Sequence, residues 1–207
     1  PFSQQFGPAR TAFGLRAGQL MFTPEDIREP DPIPDDRPYA GYLYGGAFWQ
    51  RSNSHTADHI GLDLGILGPS SLAEDTQVFI HDTFDEIDPQ GWDNQLRDEF
   101  TAQLTIRKKW RFDLLAPHTE RNDTALHLQV LPQAALHAGT VFRNLEAGAM
   151  LRLGWHLPDD FGPGFLHEPA DFTAPWDERL PNRHGHSGYL FVRGLGRFVE
   201  HDATLEG

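Results

Sequence analysis

The fold class predicted by this sequence is all-β: an antiparallel transmembrane β-barrel, with a short helix in one long loop. Three observations carry it. Apolar residues alternate with small or polar ones at period two over long stretches. Aromatic residues gather near the ends of those stretches. Short polar turns are interspersed with long connections, as in membrane barrels.

Seven strands are expected, over residues 9–22, 39–50, 59–66, 101–112, 124–138, 145–155 and 187–201. The third is the clearest. Ile60, Leu62, Leu64 and Ile66 share one face, and Gly61, Asp63 and Gly65 share the other. In the sixth, Leu145, Ala147, Ala149, Leu151, Leu153 and Trp155 oppose Glu146, Gly148, Arg152, Gly154 and His156. Its length matches the ~9–11 residues of a tilted barrel strand. Gly14 and Gly18, and likewise Gly194 and Gly196, are assigned to the inner face, where small residues leave space in a lumen. A soluble β-sandwich shares this periodicity. The aromatics Tyr39, Tyr42, Phe48, Trp49, Trp110, Trp155, Tyr189 and Phe191 favour the membrane barrel, read as interfacial girdles.

Short turns are expected at residues 51–58 and 139–142, and long connections at 23–38, 68–100 and 158–186. Counted alternately, the last two long connections leave from opposite ends of the sheet. Either one strand is miscounted or one long loop lies on the far side. The helix falls in the second long connection. Ser71-Leu72-Ala73-Glu74 has capping-box spacing and opens a run through Gln77, Ile80 and His81, closed by Pro89-Gln90-Gly91. Gln77 and His81, four residues apart, share a face of that helix.

The chain has 207 residues, enough for a single domain over 1–207. It has no cysteine, so neither disulfides nor thiolate metal sites arise. A net charge of −13 argues against a nucleic-acid partner, which needs a basic stripe. No apolar run approaches the ~18–20 residues of a transmembrane helix. A mean hydropathy of −0.50 does not oppose a barrel, because its strands alternate. The first residue is not Met, and no basic segment followed by an apolar run opens the chain, so a mature or trimmed chain is expected.

Several segments, in order, resemble one family. These are Phe22-Thr23-Pro24-Glu25-Asp26-Ile27; Asp35-Asp36-Arg37-Pro38-Tyr39-Ala40-Gly41; Gly65-Ile66-Leu67-Gly68-Pro69-Ser70; Gln77 and His81; Gly91-Trp92-Asp93-Asn94-Gln95-Leu96; and the run from Leu151-Arg152-Leu153-Gly154-Trp155-His156 on to Pro163. The family is the outer-membrane lipid A 3′-O-deacylases. The resemblance implies a barrel of more strands, in even number, opening on a strand with an Asn-Asp pair. No such pair precedes Phe13, and the chain is therefore expected to be an internal piece lacking N- and C-terminal strands. It also implies residence in the outer membrane, lipid A or lipopolysaccharide as substrate, and hydrolysis by histidine-activated water with calcium assistance.

His81 matches the family's catalytic histidine, with Gln77 beside it. An unperturbed imidazole titrates near ~6.5 and can serve as a base at neutral pH. Calcium takes six to eight oxygens, and Glu86 or Asp88 fills the family's acidic position after the histidine. Spacing alone leaves both open. Asp82 and Asp85 are read as solvating a helix end. Arg37 either pairs with Asp36 or binds a lipid phosphate. Ser70 and Ser71 read as helix caps, not nucleophiles, since no Gly-x-Ser-x-Gly elbow is present. His184-Gly185-His186 reads as a polar loop. Alternatives are an outer-membrane phospholipase, a non-catalytic barrel or pore, and a soluble lipid-binding β-protein.

Overall fold

A computed structural model describes residues 9–115, 126–158, 160–163 and 188–205. The elements run β1 (Arg10–Phe22), β2 (Ala40–Ser52), β3 (Thr56–Leu67), α1 (Ala73–Phe84), β4 (Glu99–Trp110), β5 (Phe112–Leu115), β6 (His127–Gly139), β7 (Phe142–Trp155) and β8 (Gly188–Asp202). All strand pairs are antiparallel neighbours, in the order β1-β2-β3-β4-β6-β7-β8, with the short β5 also paired to β6. The seven expected strands are present within a few residues at each end. Among the described residues β1 and β8 are the edges of an unclosed sheet.

The register turns sequence alternation into two surfaces. One row crosses all seven long strands as Phe13, Trp49, Ile60, Ile106, Leu136, Leu145 and Phe198. It faces outward, with Phe13 and Phe198 at 79% and 71% exposure. A second row runs Gln50, His59, Arg107, Ala135, Glu146 and Arg197. Its first five residues are buried. The protein is therefore polar inside and apolar outside, the arrangement of a membrane barrel. Leu62 and Leu151 are 52% and 40% exposed, while Asp63 and Arg152 are buried. A sandwich would bury those leucines between two sheets.

Inward charges are paired across strands. Arg16 on β1 makes a bidentate contact with Asp63 on β3, at 2.6 Å for each bond. Glu146 on β7 meets Arg197 on β8, Arg107 on β4 and His137 on β6. Arg152 donates to Gln129 Oε1 at 2.6 Å and to the Asp160 carboxylate, and so ties β6 to the start of the last long connection.

Three expectations need correction. Gly194 and Gly196 face outward, because they pair with the outward Ala149 and Ala147; Arg193, Leu195 and Arg197 take the inner side of β8. Not all the aromatics form girdles. Tyr39, Tyr42 and Phe48 are buried, and Tyr189 and Phe191 lie on the inward rows. The outward ones, Trp49, Trp110 and Trp155, all stand at the sheet end opposite the helix and make one belt there. Finally, the sheet has an eighth strand, the short β5, which pairs with β6 antiparallel as β4 does and leaves the alternation unchanged. The 68–98 connection and the one beginning at His156 do leave from opposite ends, as antiparallel order requires. Most of the latter, with His184 and His186, lies outside the described residues.

Candidate functional site

At the helix-bearing end, residues 23–39 and 68–98 fold onto the wall as a cap. Its own core is Tyr39, Ala73 and Trp92, with Ile27 packed against it. The Tyr39 and Trp92 rings lie 4.9 Å apart. Tyr39 Oη donates to the Ile27 carbonyl at 3.0 Å, Gln90 N to the same carbonyl at 2.8 Å, and Leu96 N to the Tyr39 carbonyl at 2.9 Å. Asn94 Nδ2 reaches the Pro30 carbonyl. Burial raises the Tyr39 phenol above its ordinary value. The motifs at 22–27, 35–41 and 91–96 are thus one packed unit, scattered in sequence and joined in space.

Helix α1 is seated on the outer side of the wall. Gly41 lies in the outward row, between the buried Ala40 and Tyr42, and a Cβ there would overlap Ser71 Oγ and Ala73 Cβ. Gln19, also outward, donates from Nε2 to the Ser71 carbonyl at 2.6 Å. The glycine therefore permits close approach of helix to strand.

The helix does not start as its capping box predicts. Pro69–Ser71 form a 3-10 turn, and Leu72, in the left-handed region at φ 58°, precedes α1 with no side-chain cap. Ser71 Oγ is buried against Gly41 and cannot turn back to cap. Ser70 also does not cap α1. Its N–H and hydroxyl donate to the Asp98 carboxylate at 2.8 and 2.6 Å, which holds that carboxyl below its usual range.

His81 is half-buried near the helix C-terminus, and its Nδ1 lies 2.5 Å from the Ile87 carbonyl. A carbonyl only accepts, so Nδ1 carries the proton; in the neutral ring Nε2 then holds the lone pair. The Asp85 N–H caps the His81 carbonyl with Asp85 left-handed at φ 57°, and this reversal brings Ile87 back over the ring. Ile87 in turn edges an open cleft with Ile27, Ile33, Arg28 and Glu25.

Gln77 shares the helix, but its amide oxygen accepts from Trp92 Nε1 at 2.9 Å, so it anchors the helix to the cap core and leaves the His81 ring to Ile87. Arg37 is used across the cap. Its guanidinium lies 4.6 Å above the Phe22 ring and donates to Thr204 Oγ1 at 2.9 Å, tying β8's end to the segment before β2. The Asp36 carboxylate accepts instead from the backbone of Glu25 and Arg37, and is held below its ordinary range by those two N–H groups.

The Glu86 and Asp88 side chains are exposed, and among the described residues no three His, Asp or Glu groups converge as metal ligands. Calcium takes six to eight oxygens, and the carboxylates among the described residues do not by themselves supply that set. Sequence reasoning did not find the Ile87 carbonyl or the Trp92 contact as partners of His81 and Gln77. Backbone partners leave no signature in side-chain chemistry. Gly91-Trp92 was visible only as a pattern.

No curated protein matches the sequence. In fold, LpxR from Salmonella typhimurium is similar, with a TM-score of 0.73 at 18% identity, over 95% of this chain and 64% of that one. The present chain therefore spans somewhat under two thirds of that protein. The family model for outer membrane protein LpxR matches residues 1–207. An inside-out antiparallel sheet, a cap built from the recognised motifs and a full-length family match agree: this chain belongs to the outer membrane protein LpxR family.

Proposed function

We propose that the protein is a lipid A 3′-O-deacylase, with His81 as general base. The observation that supports this most directly is the His81–Ile87 contact, which orients the ring and leaves Nε2 as the basic nitrogen. In this reading Nε2 takes a proton from water as the oxygen attacks the acyl carbonyl. The tetrahedral species collapses, the sugar 3′ oxygen leaves, and the imidazolium returns the proton to it. The products are a fatty acid and a free hydroxyl. Gln77 holds the helix through Trp92 and is a positioning residue. Arg37 supports the cap, and a role toward a lipid phosphate would have to use a guanidinium already engaged by Phe22 and Thr204.

His81→Ala in the full-length protein is expected to lower deacylation ~10²–10⁴-fold, the usual loss for a general base. Mass spectrometry of lipid A from expressing cells reads it, with heat-modifiable migration as the check on assembly. A large deacylated peak from an assembled variant would remove His81 from the chemistry. Release of glycerophospholipid acyl chains by the wild type, with lipid A untouched, would replace the deacylase by a phospholipase.

Calcium enters from the family resemblance alone, with Glu86 or Asp88 as its candidate ligands and no step assigned to it. Chelation of the full-length protein should abolish activity and calcium should restore it. Full activity in excess chelator would take the ion out of the reaction.

A further inference from the structure

The outward seating of α1 has a consequence for how the protein meets the membrane. The helix exposes Phe79 (70%), Ile80 (40%) and Phe84 (72%), and Ile87 just beyond it is exposed as well. At 100° per residue, Phe79, Thr83, Ile80 and Phe84 fall within an arc of roughly 140° that also includes the buried Ala73, while Glu74 and Asp82 lie outside it, roughly 80° beyond Phe84 and roughly 60° beyond Phe79. The stripe is amphipathic but covers nothing among the described residues. It does not stand alone, however. The turn and helix rest on Gly41 and Gln19 of the outward face, and the neighbouring outward residues there, Leu43, Ile66 and Phe100, continue the apolar band of the wall. That band is the lipid-facing surface of an outer-membrane barrel.

We infer that α1 is an interfacial anchor: its Phe79–Ile80–Phe84 stripe enters the hydrocarbon edge of the lipid leaflet at this end of the barrel, while its acidic side faces water. A helix of twelve residues, ~18 Å long, lying along the interface fits this use. His81 falls at the boundary between the apolar and acidic sides, so anchoring would hold its ring at the depth where an acyl ester meets the polar head group. This last consequence rests on the deacylase reading; the anchoring itself does not.

The test is depth measurement by spin labels. The sequence has no cysteine, so single substitutions label cleanly. Nitroxides at Phe79→Cys and Phe84→Cys, with Glu74→Cys and Asp82→Cys as the acidic side and Leu62→Cys as a wall reference, are placed in the full-length protein freed of any other cysteine. It is reconstituted in palmitoyl-oleoyl phosphatidylcholine vesicles. The labels at 79 and 84 should favour oxygen over a water-soluble nickel chelate by several-fold, like the label at 62, and those at 74 and 82 should show the reverse. Labels at 79 and 84 as open to nickel as the one at 82 would overturn the anchor. So would labels shielded from both reagents, which would mean that protein covers the stripe. Neither readout uses activity, so failure here and failure of the deacylase assay are distinguishable.

Discussion

The wall and the cap of this molecule obey opposite rules. The wall puts polar side chains inside and apolar ones outside, and pairs its inward charges across strands, as with Arg16–Asp63 and Glu146–Arg197. The cap is built like a small soluble protein, with Tyr39, Trp92 and Ala73 inside and carboxylates outside. Charge divides the same way. Residues 23–38 carry six carboxylates and residues 68–98 carry eight, fourteen of the thirty in the chain, against only Arg28, Arg37 and Arg97. The cap thus holds net −11 of the chain's −13, and the remainder is nearly neutral. A water-like mean hydropathy therefore describes neither region: it averages a lipid-facing wall with an acidic cap.

The comparison breaks first if the outer face is not lipid-facing. Leu62→Arg should cost ~2–4 kcal/mol, as for a cation placed mid-bilayer on a barrel's lipid face. On a water-exposed surface the same change would stay within ~0.5 kcal/mol. Denaturant titration of the full-length protein in vesicles, followed by tryptophan fluorescence, separates the two.

A smaller effect sharpens the seam between the regions. Gly41→Ala puts a methyl into Ser71 and Ala73, and should destabilise the seating of α1 by ~1–3 kcal/mol, the usual cost of overpacking. Deacylation should fall while heat-modifiable migration is kept. Equal loss of both would mean that cap and wall fold as one unit.

The smallest change probes the cap alone. Trp92→Phe keeps an aromatic ring tilted against Tyr39 but removes the donor to Gln77, a loss of ~0.5–1.5 kcal/mol. Hydrogen exchange should quicken in 73–84 and stay unchanged in β3 and β4. Unaltered exchange in the helix would show that Gln77 does not hold it.

Legibility followed the same division. In β3 and β7 the alternation alone assigned the faces, because a strand's side chains have period two and the wall has a single inside. In β8 that logic failed. Gly194 and Gly196 looked like lumen residues, yet pairing with β7 puts them outside, since size says nothing about face at an edge strand. The capping box failed for a related reason. Ser71 had the right spacing to Glu74, but contact with Gly41, thirty residues earlier in the chain, took its hydroxyl away from the helix end.

By itself, then, the sequence determined the strands, their faces over most of the wall, the existence of the helix, and the residues that mark the family. Those are properties of local periodicity and of residue identity. Only the tertiary structure decided that α1 rests on the outer surface, that Gln77 serves Trp92, that Arg37 closes on Thr204 and that the Ile87 carbonyl holds His81. The first depends on close approach at a glycine and the last on a backbone carbonyl beyond a left-handed turn, while the other two are side-chain contacts between residues distant in the chain; none carries a sequence pattern that names its partner.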